Sequence, residues 1–143
     1  MALTTVISNH FRFMLLTKQV DMDNDVFKAI LMSPGFVFDP VTHTTLAGVT
    51  ASQLPTGNGY TQDTATLTKT TPVYKDNAQN RAVLEWDAVQ WAASGGDIGP
   101  YSGLIIYDDS TADKTVVGGV ALDADETTAD GQLINFYNLS LLA

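Results

Sequence analysis

The sequence has no cysteine and few basic residues. Without cysteine the chain has no disulfide framework, no thiolate metal ligand and no cysteine nucleophile, which leaves the redox compartment open. Seven basic residues stand against sixteen acidic ones, for a formal net charge of −9. This balance disfavours nucleic acid and anionic membranes as partners. No apolar run reaches the roughly 18 residues that span a bilayer, and no signal-peptide pattern follows Met1. We expect a soluble acidic protein whose mature chain starts at Met1.

Groups that carry catalysis are also scarce. The two histidines, His10 and His43, lie far apart in sequence with no nucleophile pattern between them, so they predict neither a catalytic triad nor a zinc site. Glu85 and Asp87 fall on one strand face about 7 Å apart, within the range of a glycosidase pair. Nothing in the sequence places a cleft above them, and a polar outer face is the favoured interpretation. We predict no enzyme, no catalytic residue and no cofactor.

Three acidic clusters are candidates for a hard cation, because Ca²⁺ accepts carboxylate and carbonyl oxygens in flexible geometry. The first begins like a D-x-D-x-D calcium loop, but Val26 stands where the turn glycine belongs and Met32 where the bidentate glutamate belongs. Hydrated acidic turns are therefore the favoured interpretation, and no metal site is predicted. The three clusters are Asp21, Asp23 and Asp25; Asp108, Asp109 and Asp113; and Asp123, Asp125, Glu126 and Asp130.

What the sequence does contain is a strong β pattern centred on residues 80–110, which hold both tryptophans. Apolar residues alternate up to Trp86, as in a half-buried strand, but Trp91 falls on the opposite parity. One extra residue near Asp87–Ala88, a β-bulge, would restore the register and turn Trp91 inward. The run Leu104–Tyr107 is apolar on both faces, which predicts a central strand covered on both sides.

The rest of the chain completes a fold prediction. Residues 4–18 carry an apolar stripe at helical spacing, with Thr4 or Thr5 as N-cap. Further strands are expected at Val26–Met32, Thr64–Lys75, Val116–Leu122 and Leu133–Leu142, with a long loop over 36–60 and an acidic loop over 123–130. We predict one mainly β domain over 1–143. Residues 26–142 would form an antiparallel, jelly-roll-like β-sandwich with short helical turns in its long loop, and residues 1–20 an N-terminal helix with a candidate role as an assembly arm.

Four segments carry a resemblance to a known family. They are Ser52-x-Leu54-Pro55-Thr56-Gly57-Asn58-Gly59-Tyr60, Asn80-Arg81-Ala82-x-Leu84-x-Trp86-Asp87, Trp91-x-Ala93-Ser94-Gly95-Gly96-x-Ile98-Gly99-Pro100 and Ile105-Ile106-Tyr107-Asp108-Asp109. The chain resembles, over roughly residues 26–122, small virion proteins of tailed bacteriophages described as capsid cement or decoration proteins. These motifs are turns and core tryptophans, so they bear on the fold more firmly than on a role.

The resemblance implies a structural role in a virion. Such proteins are made in the host cytoplasm, sit on the outer surface of the capsid, often as homotrimers, and clamp neighbouring subunits of the major capsid protein. It supplies no catalytic residue. A doubly apolar helix over 4–18 and a long 36–60 loop are the segments expected to make these contacts. The candidate interface residues are Ile7, Phe11, Phe13, Leu16, Phe36, Phe38, Leu46 and Leu54.

An alternative from another class stays open at this point. The chain could be a tail, neck or head-fibre component with a carbohydrate-binding role, using Tyr60, Tyr74 or Tyr101 as exposed aromatic side chains. An enzyme is the least favoured interpretation, because acid–base catalysis needs positioned titratable groups that the sequence does not assemble.

Overall fold

The computed structural model describes residues 3–142 and is mainly β, with 45% strand and 11% helix. All of the paired strands are antiparallel. The strands are β1 Leu3–Ile7, β2 Phe27–Met32, β3 Ala65–Thr66, β4 Tyr74–Asp76, β5 Arg81–Trp86, β6 Val89–Ala92, β7 Ile98–Asp108, β8 Val116–Thr128, β9 Leu133–Phe136 and β10 Leu139–Leu142. The helices are α1 Asn9–Leu16 and α2 Leu46–Val49, the latter followed by a 3-10 turn at Thr50–Ser52.

The largest sheet has five strands in the order β1-β8-β7-β2-β3, which makes β7 its central strand. Leu104 and Ile106 face the main core, whereas Ile105 and Tyr107 pack into a second apolar cluster on the other side of the sheet. The prediction of a central strand covered on both faces is confirmed. A residue run that is apolar at consecutive positions has no solvent-facing side to present.

The two smaller sheets are built on one antiparallel pair of chain segments, the ribbon, formed by residues 81–92 and 133–142. β5 pairs with β10, and β6 continues the same register with β9, so that Trp86 lies opposite Leu139 and Val89 opposite Phe136. The inward-facing residues are Leu84 and Trp86 before the change and Val89 and Trp91 after it, so the buried side moves from even-numbered to odd-numbered positions. Both strands therefore rotate about their own axes at the two residues that separate β5 from β6 and β9 from β10. The predicted register slip is confirmed, but its explanation by a single extra residue is wrong, since the partner strand is interrupted at the same level.

The N-terminal segment differs from the predicted helix over 4–18. β1 pairs with β8 at the edge of the large sheet, and the helix occupies only Asn9–Leu16. Its N-cap is Ser8, whose Oγ accepts a hydrogen bond from the Phe11 amide at 3.4 Å, instead of Thr4 or Thr5. The β-branched run before Ser8 favours a strand, and the cap residue sets the helix start. The segment is thus built into the sheet.

The acidic stretch predicted as a loop over 123–130 is mostly strand. β8 continues to Thr128 because β7 starts early enough to pair with it, with Tyr101 opposite Glu126 and Ile98 opposite Thr128. Predicted helical turns in the long 36–60 segment are confirmed by α2 and the 3-10 turn. The closing strand predicted over Leu133–Leu142 is divided into β9 and β10 by the twist of the ribbon.

The main core draws on all three sheets, with Leu31 from the large sheet, Trp86 from the three-stranded sheet and Phe136 from the two-stranded one. Aromatic side chains in this core make edge contacts, from Trp91 to Tyr60 and to Phe136. Neither helix within residues 3–142 is long and apolar enough to cross a membrane.

Candidate functional site

An apolar groove of about 450 Å³ lies beside the segment that follows β2. Phe36 and Phe38 contribute to its lining, together with Ile105 and Gly119 of the large sheet. Phe36 and Phe38 also pack against the second apolar cluster, which places the groove on the face of the sheet opposite the main core. Val37 at the rim is 79% exposed. The groove therefore offers apolar surface to a partner without any change in the fold.

Two adjacent glycines of β8 admit close neighbours, and one of them, Gly119, lines this groove. A Cβ at Gly119 would lie 3.0 Å from the Phe38 side chain and 3.1 Å from Ile105 Cδ1, so the missing side chain leaves room for the phenylalanine ring. A Cβ at Gly118 would run into the Val6 carbonyl oxygen. The Gly-Gly pair thus lets β1 and the Phe38 ring approach β8 closely, which is a common reason for glycine inside a strand.

Helix α1 separates the predicted interface residues into buried and exposed sets. Phe11 is fully buried and belongs to the main core, and Ile7 is partly buried against the same core. Phe13 and Leu16 point away from it and are 54% and 86% exposed. An exposed pair of large apolar side chains on one helix surface is available for contact with another protein.

The predicted contact residues of the long loop also differ in exposure. Leu54 is buried in the main core, which leaves it no surface to offer a partner. Phe36, Phe38 and Leu46 are partly buried against the second apolar cluster. Of these, Phe36 and Phe38 remain accessible from the groove. The surface that could bind a partner is therefore smaller than the set predicted from the sequence.

A buried carboxyl, Asp108, lies at the end of β7 beside Asp25 of the first acidic cluster. Asp108 is 0% exposed, its Oδ1 accepts the Ser110 amide at 2.9 Å, and its Oδ2 has no donor. Burial, with a smaller contribution from the neighbouring Asp25 carboxyl, raises the pKa of Asp108 to about 7. In its protonated form Asp108 can itself donate to that neighbouring carboxyl. The sequence motif alone gave no sign of this pairing, because the two aspartates are distant in the chain.

The other titratable groups singled out from the sequence have local structural partners. His10 Nε2 lies 2.9 Å from Asp113 Oδ2, and His43 Nδ1 accepts the Asp39 amide at 2.8 Å. Asp21 caps its own turn by accepting the Asp23 amide at 3.0 Å. Within residues 3–142 no group of three or more histidine and carboxylate side chains is arranged to hold a metal ion. The second and third acidic clusters do not converge in that part of the chain either.

The three tyrosines considered for glycan stacking are not equivalent. Tyr60 is buried, and its hydroxyl accepts the Leu31 amide at 3.0 Å. Tyr101 is also buried, with its hydroxyl 2.9 Å from Thr128 Oγ1. Neither ring can stack on a sugar, so that expectation is wrong for both. Tyr74 is 42% exposed and donates to Glu85 Oε1 at 3.3 Å.

Glu85 and Asp87 border a cavity of about 380 Å³, so the expectation that no cleft lies above them is wrong. Its other side is formed by Tyr137 and Asn138, at the twist of the ribbon. Sequence reasoning placed these two residues inside a continuous buried strand. The positive φ of 58° at Asn138 is the backbone feature that interrupts this strand. Asparagine within an apolar run was the available signal, since it tolerates that conformation.

No family model, no curated protein and no solved structure matches this chain. A functional assignment therefore depends on the exposed apolar surface, the polar cavity and the chain's own motifs.

Proposed function

We propose that this chain is a non-catalytic structural protein of a tailed-phage virion, a capsid cement protein that binds the outer surface of the shell and stabilises contacts between major capsid protein subunits. The observation that carries the proposal is where the exposed apolar side chains lie. Of the eleven exposed large apolar side chains among the described residues, five fall in the first 16 residues or in the segment after β2, namely Val6, Phe13, Leu16, Val37 and Val41. Val6 and Val37 line the same apolar groove, and exposed apolar patches mark protein-binding surfaces.

The two segments are physically joined. The Asn9 amide at the start of α1 donates to the Pro40 carbonyl at 2.9 Å, and the Val116 amide donates to the Thr44 carbonyl at 2.9 Å. Both segments are thus fixed to the large sheet. A binding surface held on a rigid sheet loses little conformational entropy when it docks, which favours tight association.

The arrangement of the three sheets around the core is part of the same proposal. We infer that the three sheets enclose the main core in the manner of a β-sandwich, related to the jelly roll, because that core takes residues from each sheet. A second copy of the chain is the other proposed partner, in a homotrimer. Closed symmetric assembly buries the same apolar surface in every subunit.

A binding experiment with a matched control tests the proposal. Phe13→Ser combined with Leu16→Ser removes the exposed apolar pair of α1, whereas Leu133→Ser removes a 52% exposed leucine on β9, outside both segments. Co-sedimentation with empty heads of the phage that encodes the protein is expected to fail for the double variant and to persist for the control. Normal sedimentation of the double variant would overturn the assignment of this surface.

Light scattering gives a second and independent readout. A trimer that dissociates in the Phe13→Ser, Leu16→Ser variant would locate the subunit contact on α1. A trimer that persists in a variant unable to bind heads would assign α1 to the shell contact. A monomeric wild-type protein that does not bind heads would contradict the cement function.

A further inference from the structure

The cavity at the twist of the ribbon has a composition unlike that of the apolar groove. It lies where β5 passes into β6 and β9 into β10, and most of its lining is polar. The lining residues are Thr70, Glu85, Trp86, Asp87, Ala88, Tyr137, Asn138, Leu139 and Ser140. None of them belongs to the surface proposed above to bind the shell.

The cavity presents both hydrogen-bond acceptors and donors. Glu85 lies directly opposite Ser140 in the β5–β10 ladder, which puts a carboxylate beside a hydroxyl on one face. Asp87 Oδ1 accepts the Thr70 hydroxyl at 3.0 Å, which fixes the carboxylate on the other wall. The side-chain amide of Asn138, which also lines the cavity, can both donate and accept a hydrogen bond. The two carboxylates are therefore held in place before any ligand arrives, Asp87 by Thr70 and Glu85 by Tyr74.

Trp86 connects the cavity to the main core. It contributes to the lining, but its side chain is only 4% exposed and packs in that core beside Phe27. The indole Nε1 is buried without a hydrogen-bond partner within the described residues and lies out of reach of a ligand in the cavity.

An aromatic side chain and the local charge narrow the ligand class. Tyr137 is 49% exposed at the edge of the cavity and offers a ring to an apolar surface. Neither lysine nor arginine lines the cavity. With two carboxylates and no cation, the site repels phosphates, sulfates and acidic sugars.

We propose that this cavity binds a neutral saccharide. Sugar hydroxyls each donate and accept, so they match a lining in which carboxylates alternate with hydroxyls and an amide. The C–H face of a pyranose ring packs on an exposed tyrosine, as apolar surface does on aromatic rings generally. A lysine side chain would pair with the two carboxylates but would offer no acceptor to the hydroxyl and amide donors.

This inference is independent of the proposed cement function. A protein that binds sugar through the ribbon and a capsid shell through α1 would use separate segments of the chain for the two contacts. Failure of either experiment leaves the other standing.

Isothermal titration and amide NMR shifts test the saccharide site directly. The probes are lactose, maltotriose and chitotriose as neutral sugars, sialyllactose as an acidic one, and oligolysine as a basic peptide. We expect at least one neutral sugar to bind and to shift the amides of residues 85–88 and 137–140, while sialyllactose does not bind. The proposal would be overturned if only oligolysine bound and salt abolished that binding. It would also be overturned if none of the three neutral sugars bound.

Two variants and one control assign the binding to this cavity. Asp87→Asn keeps an oxygen for the Thr70 hydroxyl but removes the charge, and Tyr137→Ala removes the ring. Each is expected to weaken sugar binding roughly tenfold, while Leu133→Ala, at the far end of β9 and outside the cavity lining, leaves the affinity unchanged. Both substituted side chains are exposed, so unchanged thermal midpoints are expected. Equal affinity in all three variants would place the sugar elsewhere and refute the site.

Discussion

The buried carboxyl of Asp108 makes folding stability depend on pH in a direction unusual for an aspartate. Its side chain has no contact with solvent and faces the Asp25 carboxyl, so its charged form is disfavoured twice. The perturbation that isolates this effect is Asp108→Asn. The amide oxygen can still accept the Ser110 amide, which now bonds to Oδ1 at 2.9 Å. Its NH₂ group can donate to Asp25 without a proton from solvent.

The direction in which stability changes with pH follows from how many protons the folded and the unfolded chain bind. In the unfolded chain Asp108 releases its proton near the ordinary value of 3.8, whereas in the fold its pKa is raised to about 7. The folded protein therefore holds more protons between these values, and stability falls as pH rises through that window. A rise from 3.8 to about 7 corresponds to on the order of 4 kcal/mol of lost stability by pH 8, an upper figure because the fold can relax.

Urea unfolding at fixed ionic strength, from pH 4 to pH 8, measures this dependence. At the acidic end wild type and Asp108→Asn are expected to have similar free energies of unfolding, because both carry a neutral group at this position. At the alkaline end the variant is expected to be more stable by up to roughly 4 kcal/mol. The difference should grow steadily through the window and level off above pH 7.

The neighbouring residue provides a control of opposite sign. A hydrogen bond from Lys114, with a second from Lys28, lowers the pKa of Asp109. Its ionised form therefore adds stability above its unfolded pKa, and this contribution is lost as pH falls. Asp109→Asn should be less stable than wild type at neutral pH and converge with it in acid. If Asp108→Asn shows the same pH slope as wild type, the carboxyl is not protonated in the fold and the reasoning fails.

Other substitutions test the packing. Phe11→Ala should cost about 3–5 kcal/mol of unfolding free energy because its ring is in the main core, whereas Leu16→Ala on the same helix should change it by less than ~0.5 kcal/mol because the side chain is exposed; equal effects in urea melts would contradict the placement of α1. Gly118→Ala should push β1 away from β8, since its Cβ would meet the Val6 carbonyl. Faster amide hydrogen exchange along β1 would verify this displacement, and unchanged protection would disprove it.

The sequence allowed correct prediction of features that depend on local alternation. The doubly apolar Leu104–Tyr107 run requires two covered faces wherever it lies in the fold, and the structure puts it at the centre of a sheet. The opposite parity of Trp86 and Trp91 likewise requires a rotation between them. Both conclusions follow from side-chain period alone.

Pairing partners could not be read from the sequence in the same way. The stripe beginning at Leu3 fits a helix, but β8 offers a partner edge with glycines that admit a close strand, and pairing prevails over periodicity. Likewise the acidic end of β8 has the composition of a loop, yet β7 supplies hydrogen bonds along it. Tertiary contacts of this kind outweigh local propensity.

The position of the polar cavity is set by packing in the core and not by the residues that line the cavity. Trp86 and Trp91 are both buried, so the ribbon must rotate between them, and that rotation brings Asp87 and Tyr137 to the same opening. The shape of the cavity is therefore a by-product of packing two tryptophans, whereas its chemistry depends on exposed residues that packing leaves free. Substituting Tyr137 changes the chemistry alone, but Trp91→Ala would disturb the rotation itself. Loss of sugar binding in Tyr137→Ala, with the fold intact, would therefore assign the binding to the ring and not to the packing that shapes the cavity.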